Sequence, residues 1–393
     1  MEIWEEERIP DLVPEAVTEL VRKSLEVAQG ISKHMEGLIK SITNIRDAIK
    51  SSSLVEIVKL DPRKVPEIGG AYAVDSSFKA PLPLVYGDMF IVLGGYVRYP
   101  RIDSTDPGLN RGLKVELKLG KFTARTQTAI SKIVEMSIAK DLLQKDKYST
   151  PQWDLLIYDG PLLPLWPLVL ITRHFYEDEK KVLEISREVA AEARNKNKVL
   201  IGIVKRVDSH FIERGLIDLM EEQGEIKINK NHLKLNDKAL LTLLLQPGEA
   251  LLIGSVESSR VIDRTLVKEG KKDIFMRFVD ENSWVKDIWI GFMKPIRSKH
   301  VIRFEIADYK GLGVKNILHW LNANSSNTAC PYPMDQVDKM TRITDTVYEF
   351  ARKLIIKEAA LHLSKIARIE GPENVDLLLE FADLQKKFIP DMG

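Results

Sequence analysis

The chain has 393 residues, 44 % hydrophobic and 29 % charged, which supports a sizeable core and excludes a disordered composition. The formal net charge of +1 argues neither for nor against a nucleic-acid partner. The single cysteine, Cys330, excludes an internal disulfide framework and a cysteine-based zinc site, and it fits a reducing, cytoplasmic compartment.

In chain order, MEIWEEERIPDL is acidic and lacks the apolar run of a secretory signal. Residues 14–50 are expected as one long helix, with Pro14 in its first turn and Ser51-Ser52-Ser53 at its end. Ala28, Ile31, Met35, Leu38, Ile42, Ile45 and Ile49 step by three and four, the spacing of a narrow helix-packing seam. Such a seam suits a partner subunit or the helix's own domain. GGAYAVDSSF predicts a short strand ending at Asp75, and Met89 to Tyr99 a second, in which a glycine pair suggests a bend or bulge. Leu113 to Gly120 alternates with period two, as a half-exposed strand does. Thr123 to Gln144 has helical spacing. WDLLIYDG is a continuous apolar run ending at Asp159-Gly160, the pattern of a strand buried on both faces.

The run from Pro161 to Thr172 is about half a membrane span and holds three prolines, which excludes a transmembrane helix. Glu177 to Asn197 predicts a charged helix and Lys198 to Arg206 another buried strand. Residues 210–300 read as an inserted β-rich subdomain. His300 to Tyr309 alternates cleanly, and a long helical region runs from Met334 into the 380s, broken near Gly371-Pro372. The division is an N-terminal helical segment, 1–60, and one α/β domain, 61–393, carrying the insertion. Between Arg98 and Lys147 there are eleven Lys or Arg against six Asp or Glu, a local excess able to follow a phosphate backbone.

Acidic side chains at the ends of buried strands have no packing reason to be there. Such ends are where α/β sheets bind ligands, and paired carboxylates are what hard cations need. Asp75 and Asp159 fit this description, although each also suits a turn. Glu135 lies on the helix between them, flanked by Val134 and Met136. Together the three resemble the acidic set of RNase H-like nucleases.

Five runs in order also resemble the NurA family of archaeal and bacterial DNA-end-processing nucleases. They are AYAVDSS with Asp75, IVEMSIAKDLL with Glu135, LLIYDGPLLP with Asp159, IGIVKRVDS with Lys205, and CPYPMDQVDKM with Tyr332-Pro333. The resemblance covers about residues 69–345. It implies an RNase H-like mixed sheet with an inserted β-rich subdomain and long N- and C-terminal helices. It also implies metal-dependent DNA cleavage with Mn²⁺ or Mg²⁺ held by Asp75, Glu135 and Asp159. A functional Lys205 would contact the scissile phosphate or orient the nucleophilic water, and Tyr332 would position a phosphate through its hydroxyl; a surface lysine and a turn residue are the alternatives. The implied partners are DNA, a second copy of the chain in a homodimer, a HerA-type hexameric ATPase, a single-stranded-DNA-binding protein and the break end-processing complex; no membrane is among them.

In one place the chain departs from the family, since Met340 stands where the fifth motif carries a histidine. His210, His300 and His319 fall in no motif. No Walker A element and no Gly-x-Ser-x-Gly elbow occurs. The competing function is a catalytically impaired DNA-binding or adaptor subunit of a DNA-translocating ATPase complex, which Met340 suggests.

Overall fold

The computed structural model describes residues 14–84, 87–103, 106–145, 152–162, 177–207, 209–227 and 235–367, without the side chains of 14, 31, 33–41, 83, 84 and 359–367. The expected break at Gly371-Pro372 and most of the apolar run 161–172 lie outside these residues. Among the described residues no helix is long and apolar enough to cross a membrane.

The strands are β1 (Glu56–Lys59), β2 (Ala71–Phe78), β3 (Leu82–Leu84), β4 (Gly87–Tyr99), β5 (Arg111–Gly120), β6 (Leu155–Asp159), β7 (Val199–Val204), β8 (Glu249–Ser255), β9 (Trp289–Lys294) and β10 (Ile302–Asp308). The helices used below are α1 (Pro14–Ser51), α2 (Ala124–Lys145), α3 (Glu177–Asn195), α4 (Asp218–Glu222), α5 (Asp237–Leu244), α6 (Arg260–Lys268), α7 (Lys272–Glu281), α8 (Val314–Ala323), α9 (Tyr332–Thr341) and α10 (Asp345–Ala367).

All ten strands join one sheet, in the order β1-β8-β9-β10-β7-β6-β2-β4-β3, with β5 on β4. Its centre is built around three parallel strands, β2, β6 and β7. β4 runs antiparallel to β2, and β5 antiparallel to β4. Taken in chain order, the five strands β2, β4, β5, β6 and β7 lie 3-2-1-4-5 across the sheet, with α2 between the third and fourth and α3 between the fourth and fifth. That topology is RNase H-like. The strands β10, β9, β8 and β1 extend the sheet beyond β7.

Strand residues point alternately to the two faces, and the cores divide accordingly. Tyr72, Val74, Leu156, Tyr158 and Leu200 pack with α2 and α3 on one face. Ala71, Ala73, Leu155, Ile157, Val199, Ile201 and Ile203 pack with α8 and α9 on the other. This two-sided cover explains why β6 and β7 are apolar without alternation.

Three expectations change. The segment 210–300 is mostly helical rather than β-rich: its two strands, β8 and β9, enter the main sheet, and around them lie a π-helical stretch (Phe211–Ile217), α4, α5, α6 and α7. The helical signal was present, because Val261, Ile262, Thr265 and Leu266 are buried at one-, three- and four-residue steps. The Gly94-Gly95 pair is no bulge, since β4 keeps an unbroken register with both β2 and β5. Instead it gives clearance. A Cβ on Gly94 would come within 2.6 Å of Val134 Cγ1 on α2, and one on Gly95 within 2.9 Å of Met340 Cε on α9. The C-terminal helical region is interrupted between Thr341 and Asp345, which separates α9 from α10.

Helix α1 spans the predicted residues. The end of its seam serves the chain itself: Ile45 and Ile49 are buried in the core, and Arg46 forms a two-bond ion pair with buried Glu249 of β8, at 2.8 and 2.9 Å. The seam's Ala28 is exposed, and the side chains at 31, 35 and 38 lie outside the described residues.

Candidate metal centre

The parallel strands set the site by alternation alone. Ala71 and Ala73 of β2, Leu155 and Ile157 of β6, and Val199, Ile201 and Ile203 of β7 all face α9. The next residue of the same parity is Asp75 on β2, Asp159 on β6 and Lys205 just past β7. Three neighbouring strands therefore present two carboxylates and an ammonium on one face, where their parallel pairing ends, although β2 itself runs on past Asp75 to Phe78. Helix α9 crosses this face. Pro333, Met334, Val337 and Thr341 are its buried positions, and Asp338, one turn after Met334 and beside Thr341, reaches Asp75 and Asp159.

The result is a tight cluster. One oxygen each from Asp75, Asp159 and Asp338 lie within 4.8 Å of one another. Asp75 is buried, with Oδ1 accepting from the Ser76 N–H at 2.7 Å and Oδ2 from the Thr341 hydroxyl at 2.8 Å. Lys205 Nζ donates to Asp159 Oδ2 at 2.6 Å and to Asp338 Oδ1 at 3.4 Å. Burial, and then the charge of Asp159, push the Asp75 carboxyl above its usual range, against the pull of Thr341 and Lys205. Burial opposes the charged form of Lys205, yet the Asp159 carboxylate more than compensates and holds its ammonium above its ordinary value.

Glu135 is near this cluster but not one of its three members. It is buried on α2, and Lys132 Nζ bridges it, donating to Oε1 at 2.7 Å, to Oε2 at 2.8 Å and to the Asp159 main-chain carbonyl at 2.9 Å. Burial pushes Glu135 up to about 7, with Lys132 pulling the other way. Tyr332 opens α9 and is half-exposed. Six residues of helical rise put it about 9 Å from Asp338. The structure thus brings Asp75, Asp159 and Lys205 together, sets Glu135 behind Lys132, and leaves Tyr332 at the far end of α9.

Sequence reasoning missed Asp338. The signal was the α9 packing stripe: with 334, 337 and 341 inward, position 338 lies on the stripe's edge toward the strand ends. Met340 points elsewhere, onto Gly95.

Gly202 holds the turn after Asp159. A Cβ there would meet Gly160 O and Leu162 N, each at 2.7 Å. The backbone that carries Asp159 therefore rests directly on β7, the strand leading to Lys205.

No family model matches the sequence, and no curated protein matches it. Solved structures do. A NurA structure with manganese is 11 % identical, with a TM-score of 0.47, over 84 % of this chain and 97 % of that one. The chain is similar to NurA. A second NurA structure, bound to dAMP and manganese, is 12 % identical with a TM-score of 0.40, over 93 % and 98 % of the two chains. The catalytic domain of human endonuclease V is 12 % identical with a TM-score of 0.35, over 80 % and 96 %.

The donor set consists of oxygens alone, which suits Mg²⁺ or Mn²⁺ rather than a soft metal. Three clustered carboxylates face Lys205 and, on the outer side of Asp338, Arg342 at 3.7 Å, which still leaves negative charge for a cation to neutralise. Mn²⁺ should raise the thermal stability of the protein, by about 2.7 kcal/mol at a hundredfold excess over its Kd. The sign of the pH dependence follows from Asp75. Its raised pKa means that a proton competes with the cation as pH falls, so the Mn²⁺-induced rise in Tm should be larger at pH 8 than at pH 5.5. Without metal the trend reverses. Glu135 titrates at about 7 in the folded chain and near 4.5 unfolded, so the folded state binds more protons across that window and loses stability as pH rises through it. Melting curves at the two pH values with and without Mn²⁺ check both signs.

Proposed function

We propose that the chain is a divalent-metal-dependent DNA nuclease that hydrolyses phosphodiester bonds in single-stranded DNA and at duplex ends. In this reading it is a 5'-3' exonuclease with endonuclease activity, acting in double-strand-break end resection. The observation that carries the proposal is the convergence of Asp75, Asp159 and Asp338 with Lys205 where the parallel pairing of β2, β6 and β7 ends.

Asp75, Asp159 and Asp338 would hold the cation, which supplies an activated water and neutralises charge on the phosphate. The chain's own groups do the positioning. Thr341 and the Ser76 N–H fix both oxygens of Asp75. Lys205 places a permanent positive charge at the mouth of the cluster, where it can receive a phosphate oxygen. Glu135 acts from behind, its charge shared with Lys132, as a neighbour of the cation rather than a direct ligand. The histidine absent at 340 is answered by Asp338, which reaches the centre from the same helix.

A homodimer and a HerA-type ATPase partner belong to the same reading. Exposed apolar side chains support the dimer. Leu113, Val115, Leu117 and Leu119 lie along one face of edge strand β5, and Val347, Phe350 and Leu354 along α10. The test is cleavage of linear DNA by the wild-type chain with Mn²⁺ against EDTA. Metal-dependent release of nucleotides is expected. DNA binding with no cleavage under any divalent cation would favour the adaptor reading.

A further inference from the structure

A second feature lies across α9 from the metal centre. A cavity of about 560 Å³ is lined by Arg98, Arg101, Arg111, Lys339, Tyr99 and Tyr332, with Val97, Pro107 and Met340 completing an apolar wall. Among the described residues four cationic side chains line it, and no Asp or Glu does. Arg98 is a fixed charge at its base: it is buried, donates to the Gln152 carbonyl at 2.9 Å and lies 5.4 Å from the centre of the Tyr72 ring. Arg101, Arg111 and Lys339 are exposed, and none forms an ion pair with a carboxylate among the described residues. The nearby acids Asp103 and Asp106 do not line the cavity, and Asp106 is engaged by the Gly108 N–H at 2.8 Å.

Four like charges around one concavity repel unless an anion joins them. The aromatic element narrows the choice of anion. Tyr332 packs against Tyr99 at a centroid distance of 5.7 Å and keeps 49 % of its surface exposed at the cavity. Cations alternating with an exposed aromatic ring are what unpaired nucleotides require, phosphates for the cations and a base for the ring. The volume falls within the roughly 300–1,000 Å³ of small-ligand sites, which is room for a nucleotide or two rather than a duplex.

The cavity also adjoins the chemistry. Lys339 faces the cavity and its chain neighbour Asp338 the metal centre. Val97, on the cavity wall, pairs in register with Ala73, two residues before Asp75.

We infer that this cavity holds a single-stranded stretch of polynucleotide beside the cleavage point, its phosphates among Arg101, Arg111 and Lys339 and a base against Tyr332. The inference rests on the nuclease reading for its place in the reaction, but the binding it predicts does not need metal. The experiment measures anisotropy of a labelled oligo-dT with the full chain in EDTA, across a series of salt concentrations. In the triple variant Arg101→Gln, Arg111→Gln, Lys339→Gln, binding should weaken, and the slope of log K against log salt should become shallower by about 2, roughly 0.7 per lost phosphate contact. Tyr332→Ala should weaken binding about 5- to 150-fold, the effect of losing one stacked base. A blunt duplex of the same length should lose little in either variant. Wild-type affinity and slope in both variants would overturn the inference, and so would an equal loss on blunt duplex. If oligo-dT binding behaves as expected while Mn²⁺-loaded wild type leaves DNA intact, the cavity stands and the nuclease reading fails. If Asp159→Asn stops cleavage while the cavity variants bind like wild type, the nuclease reading stands and the cavity does not.

Discussion

Asp159→Asn is expected to lower Mn²⁺-dependent cleavage of linear DNA by about 10²–10³-fold, the scale of losing one preorganised stabiliser of transition-state charge. Asparagine keeps the shape and one oxygen but removes the charge. It also loosens Lys205, whose shortest ion pair in the centre is with Asp159 Oδ2 at 2.6 Å. The cation would then face two carboxylates instead of three, in competition with an ammonium freed from its main partner. The fold should not suffer. Asp159 ends β6 facing the centre, and removing one of three clustered like charges relieves repulsion in the metal-free chain. The expected signature is therefore paired: metal-free Tm unchanged or higher, and a diminished rise in Tm on adding Mn²⁺. Full cleavage by this variant would remove Asp159 from the chemistry. Loss of cleavage together with a lower metal-free Tm would mean that the substitution acts through the fold.

The largest stability effect is expected at Arg125, far from the cluster. Its guanidinium meets Glu179 with two bonds, Nε to Oε1 at 2.8 Å and Nη2 to Oε2 at 2.7 Å, tying α2 to α3 on one face of the sheet. The Glu179 side chain is completely buried, while Arg125 keeps about a third of its surface. Arg125→Ala takes both of these bonds from a fully buried carboxylate, at a cost of up to about 3–5 kcal/mol. The pair itself need not be stabilising, because burying two ions also costs desolvation. Combining Arg125→Met with Glu179→Leu should therefore recover most of the loss. Chemical unfolding of the three proteins measures this. A loss below about 1 kcal/mol for Arg125→Ala, the scale of an exposed pair, would mean that Glu179 is held without Arg125.

The legible parts of this chain are those where one residue's neighbours determine its environment. The run LLIYD reads as a strand covered on both faces, so Asp159 at its end emerges where the strand leaves that cover, and β6 has that form. The same reading set Asp75 after an apolar strand, whereas Lys205 entered through the resemblance of IGIVKRVDS to a NurA run. Both failed for Asp338, whose place depends on how α9 crosses the sheet. That crossing is set by Gly95 beneath Met340, a contact between residues about 245 apart in the chain. Glu135 was located correctly on its helix, but Lys132, one turn earlier, is what engages its carboxylate. In the 210–300 segment the apolar run ALLIGSV is the strand it resembles, β8, but α6 and α7 around it carry their apolar residues in helical steps, which makes the segment mostly helical.

The exposed face of β5 was legible as half-exposed. That its outward side would be the apolar one was not, since alternation gives the two faces without saying which one the protein covers.

The central claim is that Asp75, Asp159 and Asp338 share a divalent cation, and anomalous scattering from a crystal of the wild-type chain soaked in Mn²⁺ tests it most directly. The account predicts a manganese peak bounded by those three carboxylates, with Lys205 Nζ displaced from Asp159 Oδ2. A peak held by other residues, or a fully soaked crystal with Lys205 still bridging Asp159 and Asp338 and no manganese between them, would contradict it.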